Sequence, residues 1–106
     1  MLGNIDKLRN GRFYYSENQT GPVYIQREGD QQIDYIQDIE LTSKVVWIQP
    51  NVYKLILIDI SNPDQVDLQV GDELFVSIIE ITSDYYLTET NYNGSVNESK
   101  IWFAAA

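Results

Sequence analysis

Residues 39–60 read IELTSKVVWIQPNVYKLILIDI, and this stretch decides the fold class. In an extended chain Ile39, Leu41 and Trp47 fall on one face, whereas Glu40 and Lys44 fall on the other. A Pro-Asn pair then turns the chain into residues 52–60, which are almost wholly apolar. Two adjacent antiparallel strands are therefore predicted, the second either covered on both sides or with its outer face shielded by neighbours.

Similar alternating runs continue on both sides of this stretch and are separated by turn residues. They predict about eight strands, at residues 12–17, 23–27, 32–37, 39–49, 52–60, 73–83, 85–92 and 96–103. Asn93-Gly94 is the strongest hairpin signal, because a type I′ turn needs positive φ at both central residues. In the run 73–83, strict alternation predicts that Ile78 faces one side and Ile81 the other.

The predicted fold is all-β, an antiparallel meander of about eight strands that closes as a lipocalin-like barrel. Two stacked sheets forming a sandwich are the alternative. The length of 106 residues fits one β domain, which we place at 11–103. Residues 1–10 are expected to form a lead-in with a short helix, and the three alanines at 104–106 a vector-derived tail.

Composition excludes several functions. The formal net charge of −9 disfavours binding to nucleic acid or to an anionic membrane surface, and no apolar run is long enough for a membrane-spanning helix. The chain lacks Cys and His, which removes disulfides, imidazole bases and most zinc or haem sites. The acidic segment 62–67 lacks the spacing of a calcium loop, so we expect no metal or cofactor.

Carboxylates are the remaining candidates for catalysis, because glycoside hydrolysis needs only a pair of them. The candidates are Asp34, Asp38, Glu40, Asp59, Glu73, Glu80 and Glu89, and no motif selects two of them. Asp59 stands out because it follows the apolar run 55–58, which places it either at a cavity mouth or in an ion pair with Lys or Arg.

Tyrosine and tryptophan give the second signal. Their rings suit a pocket mouth, a sugar platform or a protein interface, although cross-strand packing uses the same residues. The residues that we predict to bind a ligand are Trp47, Tyr53, Asp59, Tyr85 and Tyr86.

Four short segments also carry a family resemblance. At LRNGRFYY (8–15), IQR (25–27), KVVW (44–47) and YKL (53–55) the chain resembles a group of small, functionally uncharacterised bacterial all-β proteins, typically envelope lipoproteins or secreted domains. The resemblance implies a location in the periplasm or cell envelope, with the cytoplasm as the alternative. An envelope location would require that a lipid-attachment Cys was removed with a leader. Some members carry a topoisomerase designation, which we do not expect to apply to so short and acidic a chain.

The function predicted from these observations is a non-enzymatic binding or interaction module. Its partner would be a small apolar ligand or another protein. A carbohydrate-active hydrolase with paired carboxylates is one alternative, and an acidic surface that binds a cationic protein is another.

Overall fold

The computed structural model describes residues 5–17, 21–92 and 94–104 of the chain. Eight strands follow one another: β1 (Gly11–Glu17), β2 (Gly21–Glu28), β3 (Gln31–Ile36), β4 (Ile39–Gln49), β5 (Val52–Ile60), β6 (Glu73–Ile81), β7 (Tyr85–Tyr92) and β8 (Ser95–Phe103). One 3₁₀ turn, Ile5–Leu8, precedes β1, and another, Pro63–Gln65, lies between β5 and β6.

Each strand pairs antiparallel with the next, and β8 pairs with β1 to close the barrel. This confirms the predicted eight-stranded barrel over the two-sheet alternative. The hairpin between β7 and β8 is also found, with Tyr92 opposite Ser95 and Gly94 at φ +85°. Asn93 lies outside the described residues, as do the last two alanines of the predicted tail.

Three register shifts interrupt the regular strand pairing, one between β6 and β7 and two between β4 and β5. Between β6 and β7 the register shifts after Ile78, so Ile81 packs against the same core as Ile78. The prediction that these two side chains face opposite sides was wrong, because an extra residue reverses the parity of every later position. Between β4 and β5 a second shift leaves Asp59 exposed, while Leu57 and Ile60 are both buried.

The barrel has two different ends. At the plugged end, Leu8 of the first 3₁₀ turn lies in a core made by residues of seven strands: Phe13, Ile25, Val45, Tyr53, Val76, Ile78, Tyr86 and Ile101. At the other, loop end, four buried residues form a second cluster together with Val66 and Leu68 of the β5–β6 connection: Ile39, Leu41, Leu57 and Ile60. The interior between the two clusters holds the site described below.

The closure between β1 and β8 is short. Two residue pairs join these strands, Phe13 with Phe103 and Tyr14 with Trp102, whereas the other neighbouring strands are joined by five to eight pairs. The pairing of β1 with β8 therefore ends near the plugged end. We call the region between these two strands beyond that point, towards the loop end, the β1/β8 seam.

In the part of the chain that the structure describes, no helix is long and apolar enough to cross a membrane.

Candidate functional site

Arg27 is a buried cation at the floor of the barrel interior. Alternation along β2 points Val23, Ile25 and Arg27 inward, and Arg27 is 2% exposed. Its Nε and Nη2 both donate to Oε1 of Gln32, at 2.9 and 2.7 Å, and its Nη1 donates to the Leu8 carbonyl oxygen at 2.6 Å. A buried guanidinium is tolerated only when its donors are satisfied in this way. The contact with Leu8 also holds the first 3₁₀ turn, Ile5–Leu8, against the barrel wall.

Aromatic residues complete the surroundings of this cation. Nη2 also donates to the hydroxyls of Tyr53 and Tyr86, each at 3.2 Å, and the guanidinium lies 4.8 Å from the ring centre of Phe13. Burial lowers the pKa of Arg27, but Tyr53, Tyr86 and Asp34 raise it by more, so the group stays charged. Burial raises the pKa of the Tyr86 hydroxyl well above its usual value, which keeps it neutral.

Gln32 links this cation to a carboxylate. Its Nε2 donates to Oδ1 of Asp34 at 2.7 Å, while its Oε1 faces Arg27. The orientation of the amide is dictated by chemistry, because arginine has no acceptor and an ionised carboxylate has no donor. A reversed Gln32 amide would place its N–H donors against the donors of Arg27 and its oxygen acceptor against the carboxylate oxygens of Asp34. Arg27, Gln32 and Asp34 therefore form a fixed chain of hydrogen bonds, which we call the interior relay.

Asp34 is the end of the interior relay that faces open space. Desolvation by burial raises the pKa of its carboxyl group to about 6, against the lowering effects of the hydrogen bond from Gln32 and the charge of Arg27. Perturbed carboxyl groups in a cavity are typical of functional sites. Near neutral pH the group is largely ionised although water has been partly removed from it.

The space next to Asp34 is a cavity of about 620 Å³ in the barrel interior. A second pocket of about 280 Å³ continues it towards the loop end, and the two share six wall residues: Tyr15, Asp34, Leu55, Leu74, Thr90 and Asn97. We treat them as one barrel cavity. The volume of the larger pocket, about 620 Å³, falls within the range of natural small-molecule sites, roughly 300–1,000 Å³.

The walls of the barrel cavity differ in chemistry. Strands β7 and β8 contribute hydroxyl and amide groups, among them Thr88, Thr90, Asn97 and Ser99. Strands β4 to β6 contribute aliphatic side chains: Leu41, Leu55, Leu57, Leu74 and Val76. Tyr15 of β1 and Ser99 and Ile101 of β8 also line the cavity, which places it along the β1/β8 seam. A molecule with one polar and one apolar side matches these walls.

A second carboxylate is held at the loop end of the cavity. Oδ2 of Asp72 accepts a hydrogen bond from the Tyr92 hydroxyl at 2.7 Å and another from the Gln69 backbone N–H at 3.0 Å. These two bonds, with that of Gln69 the larger effect, lower the pKa of Asp72. The contact fixes the β5–β6 connection against β7.

The predicted ligand-binding residues separate into two groups. Tyr53 and Tyr86 meet at Arg27, and Trp47 packs on Tyr53 with ring centres 4.9 Å apart. Of these three, Tyr53 lines the barrel cavity. Tyr85 instead packs on Trp102, 5.0 Å between ring centres, away from the cavity wall. Whether any of the four contacts a ligand stays a prediction.

Asp59 lies apart from these aromatic residues. It is exposed beside Pro63 and Val66 in a groove of the outer surface, because the β4–β5 bulge turns it away from the interior. Among the described residues no ion pair joins it to a Lys or Arg.

The interior relay was not singled out from the sequence. Asp34 was one of seven candidate carboxylates, and Arg27 and Gln32 were not considered as site residues. A signal for Arg27 was present, since in Val23-Tyr24-Ile25-Gln26-Arg27 the cation shares the face of two aliphatic residues. An inward cation must find a partner inside, and Gln32 lies directly opposite it in the β2–β3 register.

Comparison with known proteins gives no relative: no family model, curated protein or solved structure matches the chain. Within the described residues, no group of three or more Asp or Glu is arranged to hold a metal ion. The barrel cavity is therefore the feature of the protein from which a function can be inferred.

Proposed function

We propose that the protein is a small-molecule binding barrel whose ligand occupies the barrel cavity. The observation that carries this proposal is an interior that is not filled by side chains: a space of about 620 Å³ lies between the two apolar clusters. Eight-stranded barrels have interiors that are either packed or able to hold one small ligand. The space found here supports the second case.

The lining supports an amphiphilic ligand over a purely apolar one. The hydroxyl and amide groups of β7 and β8 line one part of the cavity wall, and the aliphatic residues of β5 and β6 line the adjoining part. Burying an unmatched hydroxyl or amide under an apolar molecule costs about 1–3 kcal/mol for each group. A ligand that offers polar atoms to one wall and hydrocarbon to the other avoids this cost.

Titration with N-phenyl-1-naphthylamine, a neutral amphiphile whose fluorescence rises in apolar surroundings, tests the proposal. Saturable binding of one molecule per chain is expected. Leu74→Trp and Thr90→Trp fill the cavity from two neighbouring strands, β6 and β7, and should each weaken binding about tenfold or more, by removing room for the probe. Ile79→Trp is the matched control because Ile79 is 45% exposed and does not line the cavity.

Circular dichroism and thermal unfolding of each variant establish that it is folded. Equal binding by the two cavity variants and the control would contradict the proposal, and so would an absence of saturable binding by the unmodified protein.

Glycoside hydrolysis is a second candidate, favoured by one observation. Asp34 and Asp72 both line the cavity, and their pKa values are displaced in opposite directions. An acid with a raised pKa beside an ionised carboxylate is the pair that glycosidases use. Release of nitrophenol from a panel of nitrophenyl glycosides, lost in both Asp34→Asn and Asp72→Asn, would support this candidate. A rate equal to that of buffer would end it.

A further inference from the structure

The charged residues of the cavity wall all have the same sign. Four acidic residues line the barrel cavity, namely Asp34, Asp72, Glu73 and Glu98, and no Lys or Arg is among the described residues that line it. Glu73 is paired with Lys54 at 3.5 Å, and Asp72 is held by Tyr92. The carboxylate placed deepest, next to the floor, is Asp34.

The positive charge of Arg27 does not change the negative character of the cavity wall. It lies behind the floor and does not line the cavity, because Gln32 and Tyr53 stand between its guanidinium and the open space. Its hydrogen bonds are directed at Leu8, Gln32 and the two tyrosine hydroxyls. An anionic ligand would therefore meet acidic groups first and would find no guanidinium donor on the wall.

Asp34 still has acceptor capacity for a ligand. An ionised carboxylate has about four acceptor sites on two oxygens. In the described part of the chain the one hydrogen bond recorded for its side chain comes from Gln32, to Oδ1. Tyr15, Leu55 and Leu74 line the same cavity as Asp34 and can cover a hydrocarbon chain attached to a donor group.

We infer that the ligand of the barrel cavity is a cationic amphiphile, a protonated amine with an aliphatic tail, whose ammonium group binds the Asp34 carboxylate. This inference rests on the proposed function and names the chemical class of the ligand. The tail lies against Leu55 and Leu74, and the hydroxyls of Thr88 and Thr90 accept the remaining ammonium hydrogens. The negative potential of the whole chain, with a formal net charge of −9, draws cations towards the seam.

Displacement of bound N-phenyl-1-naphthylamine by three probes of equal chain length tests the inference: octylammonium, octan-1-ol and octanoate. At about pH 8, octylammonium is expected to bind about tenfold to hundredfold more tightly than octan-1-ol, the range of a charge-assisted hydrogen bond in a water-poor site. Octanoate should be the weakest of the three. Ethylammonium, which lacks the tail, should bind at least about tenfold more weakly than octylammonium.

Two variants that each remove one carboxylate separate the contact from general attraction. Asp34→Asn should reduce the preference for octylammonium over octan-1-ol to about twofold or less, because the amide carries no charge to attract the ammonium group. Asp84→Asn is the matched control, because Asp84 is exposed in the connection between β6 and β7 and does not line the cavity. Its preference should stay unchanged if the contact is local.

The outcomes distinguish the two proposals. If the fluorescent probe does not bind to the folded protein, the small-molecule function fails. If it binds but the alcohol or octanoate competes as well as octylammonium, the function stands and the cationic ligand class is wrong. An equal loss of preference in Asp34→Asn and Asp84→Asn would also overturn the inference, because it would show that net charge, not the Asp34 contact, attracts the amine.

Discussion

Replacing Asp34 by Asn should make the protein more stable at neutral pH. Asn keeps a carbonyl oxygen that can accept the hydrogen bond from Gln32 Nε2, now 2.7 Å from the carboxylate. What the substitution removes is a charge that burial disfavours. The expected gain is therefore electrostatic, and packing should change little because the two side chains have the same shape.

The magnitude follows from the pKa of Asp34, which is raised from 3.8 to about 6 in the folded protein. At about 1.36 kcal/mol per pKa unit this displacement corresponds to at most about 3 kcal/mol. Partial access of water through the cavity brings our expectation to about 2–3 kcal/mol. Because the raised pKa belongs to an acid, the cost is absent below about pH 4, grows as the unfolded chain ionises first, and is complete above about pH 6.

Urea unfolding followed by tryptophan fluorescence, at several pH values between about 4 and 8, measures this difference. The free energy of unfolding of Asp34→Asn should exceed that of the unmodified protein by about 2–3 kcal/mol at pH 8, and the two should converge near pH 4. Asp84→Asn, on the exposed surface, should change it by no more than about 0.5 kcal/mol. A loss of stability in Asp34→Asn at pH 8, or a gain independent of pH, would refute the reasoning.

Four further outcomes are expected. Arg27→Met should lower the free energy of unfolding by about 3–5 kcal/mol, because it leaves buried oxygens without donors; a loss below about 1 kcal/mol in urea unfolding would contradict the role of the relay. Gln32→Leu should raise the pKa of Asp34 above about 6, since it removes a hydrogen bond that lowers it, and NMR titration of the carboxyl carbon measures this. Tyr92→Phe should raise the pKa of Asp72 towards its usual value, observed in the same titration, where an unchanged midpoint would show that the hydroxyl contact is unimportant. Octylammonium affinity should fall about tenfold for each pH unit below about 6, as Asp34 takes up a proton, while octan-1-ol affinity stays level.

The eight antiparallel strands could be predicted from the sequence because period-two alternation and turn residues are local signals, whereas the choice between a barrel and two stacked sheets required the pairing of β8 with β1. These signals predict where the strands lie, and the Asn-Gly hairpin and the run 39–60 both appear in the structure as expected. The bulges were not predictable in the same way. A bulge depends on how two strands fit across the register, so one strand's own pattern does not contain it, and Ile81 was assigned to the wrong face for that reason.

The candidate site could not be predicted from local sequence patterns, because its residues come from distant parts of the chain. Asp34 is on β3 and the other residues of the barrel cavity come from all seven remaining strands, so their meeting requires the closed barrel. The composition showed that the chain is acidic, but it did not show which carboxylate points into the barrel. Tyr53 and Tyr86 were predicted from the sequence as ligand-binding residues. Their contact with the buried Arg27 cation became visible only once β2 and β3 were placed in register.

The interior relay also bears on why a carboxylate is kept where it costs stability. The hydrogen-bond donors of Arg27 are met by Gln32, by the Leu8 carbonyl oxygen and by two tyrosine hydroxyls, and a neutral residue at position 34 could accept the same hydrogen bond from the Gln32 amide. Hydrogen bonding at the floor thus does not require the charge on Asp34. That charge helps to keep Arg27 protonated, but burial acts against it. A group that is ionised at neutral pH, costly to the fold and turned towards an open cavity is better explained by a partner that compensates it there. A protonated amine is the compensating partner of simplest chemistry, and its binding would offset the free-energy cost that burial places on the ionised carboxylate.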